Sequence, residues 1–181
     1  MGEGAAIEAG ERIYAIGDVH GRLDLLADLL GMIRRDQAGR PDARVRVILL
    51  GDVVDRGPDS AEIVRRLMSY TRASDRFVVL KGNHEQMMVE SVKGAMATMQ
   101  AWLGLGGVST LKSWGVAGDV RAEKHNPLIV KAARKAVTDA ELRWLDERPL
   151  TYASGDYLFV HAGIRPGVPL ADQHPGNLLW I

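Results

Sequence analysis

The chain has 181 residues, of which 46% are apolar and 25% are charged, a globular composition with enough length for one full hydrophobic core. Its 23 basic and 23 acidic residues cancel, so charge favours neither a nucleic-acid nor a membrane partner, and a small or phosphorylated substrate fits better. The absence of cysteine excludes disulfides and thiolate chemistry, so histidine and carboxylate groups must carry any catalysis.

The beginning of the chain predicts no structure of its own. Residues 1–10 are rich in Gly, Ala and Glu and predict a flexible tail without the basic start and apolar core of a signal peptide. No apolar run of the sequence approaches the roughly 20 residues of a membrane span. We therefore expect a soluble, cytoplasmic protein in which residues 11–181 form a single domain.

Three units of strand, polar loop and helix follow the tail. The strands are predicted at 12–16, 45–50 and 77–80, with amphipathic helices at 22–36, at 58–70 and from 86 onward. Serial units of this kind predict an α/β fold with a parallel or mixed sheet covered by helices. In such sheets ligands bind beyond the carboxyl ends of the strands, where all three polar loops fall.

A different pattern follows the third unit. Residues 91–149 contain helical patches and a glycine cluster, and we predict a helical insertion that caps the site or its rim. Thr138 and Glu141 have capping-box spacing, which predicts a helix ending near Arg148. One more strand is predicted at 157–160, ending in His161.

The polar residues at the four strand ends form a plausible ligand set. They are Asp18 and His20, Asp52, Asn83 and His84, and His161. Oxygen and imidazole ligands without thiolate suit manganese, iron or zinc. Asp52 is placed to bridge two cations because a carboxylate has two oxygens, and two bridged ions can clamp the attacking and the leaving oxygen of a phosphoryl group. The sequence therefore predicts a two-metal phosphoester site.

Asp55 and Arg56 lie on the loop beyond Asp52. The Asp55 carboxylate can orient a histidine, and the planar guanidinium of Arg56 can hold phosphate oxygens. Arg56 is alternatively a surface residue paired with Asp55. His84 is alternatively a metal ligand or a structural histidine, because the sequence alone does not separate its role from that of Asn83.

Four motifs carry a family resemblance. They are Gly-Asp-Val-His-Gly at 17–21, Gly-Asp-Val-Val-Asp-Arg-Gly at 51–57, Gly-Asn-His-Glu at 82–85 and His-Ala-Gly at 161–163. In this order and spacing they resemble the signature of the calcineurin-like metallophosphoesterases, and more narrowly the phosphoprotein phosphatase branch in its bacterial and bacteriophage form. The resemblance implies an α/β metallophosphoesterase fold, in which a β-sandwich of mixed sheets is flanked by helices.

The resemblance also implies two divalent metal ions, with manganese expected and iron or zinc as alternatives. Asp18 and His20 would hold the first ion and Asn83 and His161 the second, with Asp52 bridging them. A metal-bridging hydroxide would attack the phosphorus without a phosphoenzyme.

The remaining motif residues would act on the substrate. The resemblance makes His84 the general acid, oriented by Asp55, and makes Arg56 the phosphate-binding residue. The implied activity is that of a metal-dependent phosphatase on phosphate monoesters, above all phosphoserine and phosphothreonine in proteins. A diadenosine tetraphosphatase-like hydrolase of dinucleoside polyphosphates is the alternative, and an inactive binding module is a third. Glu85 and the Asp55–Arg56 pair favour the protein phosphatase.

One part of the family pattern has no match. The family carries a further histidine ligand and a second phosphate-binding arginine after the His-Ala-Gly motif, and this chain has no counterpart of either. From this we expect a chain truncated at its C-terminus, an incomplete β-sandwich, weak binding of the second metal and low or absent activity. An incomplete sheet exposes an edge strand, which predicts possible dimerisation through that edge.

Overall fold

The computed structural model describes residues 4–120 and 126–180. Its strands are Glu11–Ile16 (β1), Arg44–Leu49 (β2), Phe77–Val79 (β3), Thr151–Ser154 (β4) and Tyr157–Val160 (β5). Its α-helices are Leu23–Ala38 (α1), Ser60–Ala73 (α2), Asn83–Lys93 (α3), Met96–Trp102 (α4), Val108–Ser113 (α5), Leu128–Ala136 (α6), Asp139–Asp146 (α7) and Pro175–Leu179 (α8). A π-helical turn, Leu103–Gly107, joins α4 to α5.

The predicted series of strand, loop and helix forms a parallel sheet in the order β1-β2-β3. Ile16 lies opposite Leu49, and Leu49 lies opposite Val79, so the three strands end at the same level. The mixed α/β fold predicted from the sequence is confirmed. The loops after these strands consequently leave the sheet side by side.

The fourth predicted strand does not join this sheet. Tyr157–Val160 pairs antiparallel with Thr151–Ser154, a strand that the sequence interpretation missed, and the two form a separate hairpin sheet. Gly155, with φ +54°, lies in the tight turn that joins them. His161 therefore reaches the site from a second sheet.

The helices on the parallel sheet bury the faces that their periodicity predicts. In α1, Leu26 and Ile33 are buried, and in α2 Ile63 and Leu67 are completely enclosed. Burying a side chain of this size contributes about 1.5–3 kcal/mol relative to leaving it exposed. This packing fixes the sheet on which the site is built.

Helices α4 to α7 occupy most of the section that the sequence predicts as a helical insertion. Helix α3, predicted to begin at Gln86, begins instead at Asn83, so Asn83, His84 and Glu85 lie in its first turn rather than in a loop. Thr138 and Glu141 form the predicted capping box, and the helix that they start ends at Asp146.

The described part of the predicted tail contacts the hairpin sheet. The backbone N–H of Ala6 donates to Asp156 at 3.0 Å, and that of Glu8 donates to the Ser154 hydroxyl at 3.1 Å.

Strands β1 and β3 form the two edges of the parallel sheet. Dimerisation through an exposed sheet edge, expected from the sequence, stays a prediction. Within residues 4–120 and 126–180, no helix has the length and apolar character needed to cross a membrane.

Candidate metal centre and active site

Backbone hydrogen bonds join the first two motif loops. The N–H of His20 donates to the Asp52 carbonyl at 2.9 Å, and the N–H of Gly57 donates to the His20 carbonyl at 3.0 Å. Where the loops cross, a β-carbon on Gly21 would lie 2.7 Å from the Gly57 carbonyl oxygen, and one on Gly57 would lie 2.4 Å from the His20 carbonyl oxygen. The two glycines are therefore required by the close approach of two backbones.

Asp52 lies at the centre of the site and is only 3% exposed. Its Oδ1 lies 3.5 Å from His161 Nε2, and its Oδ2 lies 3.8 Å from the Nε2 atoms of both His20 and His84. The backbone N–H of His84, at the start of α3, donates to Asp52 Oδ1 at 3.1 Å. Oδ1 thus faces His161 and Oδ2 faces His20 and His84, so the two oxygens point to different imidazoles on the two sides of the carboxylate, an arrangement compatible with the predicted bridging role.

Backbone carbonyls orient the His20 and His161 rings. His20 Nδ1 lies 2.9 Å from the Val54 carbonyl, and His161 Nδ1 lies 2.9 Å from the Leu50 carbonyl. A carbonyl oxygen only accepts, so Nδ1 carries the proton in each ring. In a neutral ring, a proton on Nδ1 leaves the Nε2 lone pair free, which is the tautomer that a metal-binding histidine needs.

The donor set fits divalent ions. His20 Nε2 is buried and has no hydrogen-bond partner among the described residues. Asn83 Oδ1 faces His161 Nε2 at 3.0 Å and both Asp52 carboxylate oxygens at 3.2 Å, so oxygen faces oxygen. A cation between these oxygens would stabilise the arrangement, and so would a rotated amide whose N–H groups donate to Asp52. Two sets of three potential ligand atoms lie within 4.8 Å of one another: Asp18, Asp52 and His161, and His20, Asp52 and His84. The structure therefore brings together all five residues predicted as metal ligands.

His84 and Asp55 form a buried pair beside this cluster. His84 Nδ1 lies 2.6 Å from Asp55 Oδ2, and the two side chains are 4% and 0% exposed. Burial lowers the pKa of His84, but the Asp55 hydrogen bond and the Asp52 charge outweigh it and raise that pKa above 6.5. Arg56 is exposed, and its Nη2 lies 3.5 Å from His84 Nε2. A cationic side chain and a proton-carrying imidazole therefore face the same space.

Backbone strain is concentrated in these loops. Within the described ranges, the non-glycine residues with positive φ are His20 at 44°, Asp52 at 51°, Asp55 at 74° and Arg56 at 66°. This conformation is costly for residues with a β-carbon, and such costs persist where surrounding contacts hold a functional side chain in place.

The sequence interpretation treated Glu85 as a marker of substrate class, but its contacts are internal. Glu85 is fully buried, and its carboxylate accepts backbone N–H groups of Asp52 at 2.7 Å, Gly82 at 2.8 Å, Val53 at 2.9 Å and Val54 at 3.2 Å. One carboxylate therefore joins the second and third motif loops. Burial and the Asp52 charge raise the pKa of Glu85 to about 7, although the N–H donors lower it.

Two further residues of the site were missed in the sequence. Trp102 at the end of α4 and Thr110 in α5 both hydrogen-bond to the Asp55 carboxylate. No local pattern reports a contact across 47 or 55 residues of chain.

Comparison with known proteins places the chain in a family. The sequence model of the calcineurin-like phosphoesterases matches residues 11–180. Symmetrical bis(5'-nucleosyl)-tetraphosphatases of Methylococcus capsulatus and Aromatoleum aromaticum are 36% and 29% identical to it over 154 and 155 residues, covering 85% and 86% of this chain. The matches cover 44% and 45% of those relatives, so the chain spans less than half of their length.

Two other matches extend the comparison. A Caenorhabditis elegans protein provisionally assigned as a serine/threonine-protein phosphatase is 33% identical over 110 residues, which cover 59% of this chain and 28% of that protein. A crystal structure of a protein provisionally assigned as a diadenosine tetraphosphatase has the same fold, with a TM-score of 0.58 at 21% identity, over 93% of this chain and 58% of the other. The match to the family model, the shared fold and the assembled motif loops agree: the chain belongs to the calcineurin-like phosphoesterase family, whose members use divalent metal ions.

Proposed function

We propose that this chain hydrolyses dinucleoside polyphosphates in a metal-dependent reaction, as a symmetrical bis(5'-nucleosyl)-tetraphosphatase does. The observation that carries the proposal is the 36% identity to such a protein over 85% of the chain. The serine/threonine phosphatase match covers only 59% of the chain. The activity first held as an alternative thus has better support than the protein phosphatase.

The proposed metal ligands are Asp18, His20, Asp52, Asn83 and His161, with Asp52 between two ions. Carboxylate, amide and imidazole donors without thiolate suit manganese, iron or zinc, and manganese is the proposed metal because the family resemblance implies it. Two bound ions would supply Lewis acidity at the phosphoryl oxygens and a water molecule of lowered pKa.

The remaining site residues are proposed to bind the substrate and to move a proton. Arg56, exposed and 3.5 Å from His84 Nε2, would bind phosphate oxygens at the reacting phosphorus. His84 would donate its Nε2 proton to the leaving oxygen as the phosphorus–oxygen bond breaks. Asp55 would hold the imidazole through Nδ1 and favour its charged form. In symmetrical cleavage, water adds to one half and each product is a nucleoside diphosphate.

Two of the three residues that seemed to mark a protein phosphatase cannot contact the substrate. Glu85 and Asp55 are both 0% exposed, so neither reaches a bound molecule. Glu85 contacts the backbone of the motif loops, and Asp55 contacts His84. They therefore support the site in any member with this loop geometry and give no preference for phosphoserine over a polyphosphate.

The test is a comparison of substrates with product analysis. The chain is incubated with manganese and either diadenosine tetraphosphate or a phosphoserine peptide, and the products are separated by ion-exchange chromatography. We expect ADP as the only nucleotide product, a much smaller kcat/KM on the peptide, and no hydrolysis of either substrate by the Asp52→Asn variant. A higher kcat/KM on the peptide would overturn the proposed substrate class and favour a phosphoprotein phosphatase.

A further inference from the structure

The Asp55 carboxylate is fully buried and receives three hydrogen bonds. His84 Nδ1 and Trp102 Nε1 both contact its Oδ2, at 2.6 and 2.7 Å, and the Thr110 hydroxyl contacts its Oδ1 at 2.5 Å. The N–H of Asp55 itself donates to the Thr110 oxygen at 2.9 Å. Because a buried polar group is costly unless it is hydrogen-bonded, these donors compensate for the burial of the Asp55 side chain.

The chemistry of the donors fixes the direction of each bond. An indole N–H can only donate, so Asp55 Oδ2 accepts from Trp102. An ionised carboxylate only accepts, so beside it the imidazole Nδ1 is the donor of the proton shared with His84. Thr110 accepts the N–H of Asp55, so its own proton is free to point at Oδ1. Trp102 and Thr110 therefore hold both oxygens of the group that orients His84.

The same segment contacts the neighbouring arginine. The N–H of Arg56 donates to the Gly106 carbonyl in the π-helical turn at 3.3 Å. Gly106 has φ +133°, and a β-carbon there would lie 2.9 Å from the Arg56 nitrogen and 3.1 Å from Asp55 Cβ. The residues from Trp102 to Thr110 thus form a support beneath both Asp55 and Arg56.

We propose that Trp102 and Thr110 are positioning residues for proton donation by His84, acting through Asp55. This inference rests on the proposed role of His84 as the acid, but not on which phosphoester is the natural substrate. Neither residue touches the space where the substrate would react. Their removal leaves the metal ligands in place and weakens only the hold on the imidazole, so reactions with poor leaving groups suffer most.

The first test uses Trp102→Phe, which keeps an aromatic ring and removes the indole N–H. Its kcat is measured with manganese on p-nitrophenyl phosphate, which has a good leaving group, and on phenyl phosphate, which has a poor one. We expect the ratio of the two kcat values to shift by about tenfold against phenyl phosphate, the effect of losing one hydrogen bond to a charged group. KM values should stay within about twofold.

Trp114→Phe is the matched control. Trp114 is also buried, and its indole N–H also donates to a carboxylate, that of Glu141, at 3.1 Å and away from the site. We expect this variant to keep the wild-type ratio of kcat values. An equal loss on both substrates in Trp102→Phe, or the same shift in the control, would reduce Trp102 to a structural residue and overturn the proposal.

A second pair of variants keeps the test decisive if Trp102→Phe does not fold. Thr110→Val removes the hydroxyl at constant shape, and Thr110→Ser retains it. The shift in the kcat ratio should appear in Thr110→Val and be absent in Thr110→Ser. A normal ratio in Thr110→Val would contradict the assignment.

A readout independent of activity separates this inference from the proposed function. In metal-free protein, proton and nitrogen NMR of the imidazoles should show His84 Nδ1 carrying a slowly exchanging proton. In Thr110→Val that proton should exchange about tenfold faster or more. This result would support the positioning role even if diadenosine tetraphosphate is not a substrate. Unchanged exchange would refute the positioning role, whatever the substrate.

Discussion

Gly57→Ala is expected to disable the site by separating two loops. The β-carbon of an alanine at position 57 would lie 2.4 Å from the His20 carbonyl oxygen and 2.6 Å from the Gly21 carbonyl carbon. Both obstacles are backbone, so no side-chain rotation can relieve the contact. Ordinary contact begins at 3.4 Å, and the loops that carry His20 and Asp52 must therefore move apart by about 1 Å.

This displacement has a calculable effect on catalysis. A shift of about 1 Å in catalytic groups costs on the order of 100-fold in rate. The hydrogen bond between the Gly57 N–H and the His20 carbonyl, now 3.0 Å, would break as the loops part. We expect kcat/KM for diadenosine tetraphosphate to fall by about 100-fold, with weaker manganese binding because His20 and Asp52 no longer face the same ion.

The assay compares this variant with Gly17→Ala, which adds the same methyl group in the first motif. A β-carbon on Gly17 would have no neighbour within 4 Å, and Gly17 is not among the positive-φ glycines. Steady-state kinetics should show Gly17→Ala within about threefold of the wild type. A Gly57→Ala protein with wild-type kcat/KM and manganese affinity, or equal damage in both variants, would refute this reasoning.

Three further outcomes follow from single contacts. Glu85→Ala leaves four buried backbone N–H groups without their acceptor. Thermal unfolding followed by circular dichroism should therefore show a Tm lower by about 6 °C or more. An unchanged Tm would contradict the role given to this carboxylate. Arg56→Ala should raise KM about tenfold or more, because the guanidinium is proposed to bind the substrate, and should leave Tm unchanged, because the side chain is exposed. An unchanged KM in steady-state kinetics would exclude that contact. Burial raises the pKa of Glu141, but hydrogen bonds from Thr138, Trp114 and Arg65 outweigh it and lower that pKa below 4.5. The stability contributed by Glu141 is therefore present above pH 4.5 and lost as the pH falls further. The free energy of unfolding in urea should consequently depend less steeply on pH below 4.5 in Glu141→Gln than in the wild type.

The sequence predicted the ligand cluster because of a general property of parallel sheets. Asp18, His20, Asp52 and Asn83 follow strands whose carboxyl ends share one edge, so finding the strands was sufficient to place these residues together. The apolar runs that form the strands and the 3.6-residue periodicity of α1 and α2 are local signals, and the structure confirms them. His161 joined the cluster as predicted, although it comes from an antiparallel hairpin.

The remaining features depend on contacts that no local signal reports. The sequence contains a cue for the start of α3 at Asn83, because Glu85 stands three residues after Gly82, the spacing of a capping box. In the structure Glu85 accepts the N–H of Gly82, whereas the sequence interpretation treated this strand-end motif as a loop. The hydrogen bonds from Trp102 and Thr110 to Asp55 arise from the packing of α4 and α5 against the second motif loop. Periodicity shows only that such residues are buried, not which group they reach.

The central claim is that Asp52 organises a metal centre. Titration calorimetry with manganese tests this claim most directly. The wild-type chain should bind manganese, and Asp52→Asn should lose most of that binding while keeping the wild-type circular dichroism spectrum and Tm, because the amide cannot supply a charged bridging group. Asp59→Asn, a change of the same kind in the same loop region but outside the predicted ligand set, should bind like the wild type. A well-folded wild-type chain that binds no divalent ion, or an Asp52→Asn variant that binds with unchanged affinity and stoichiometry, would contradict the account.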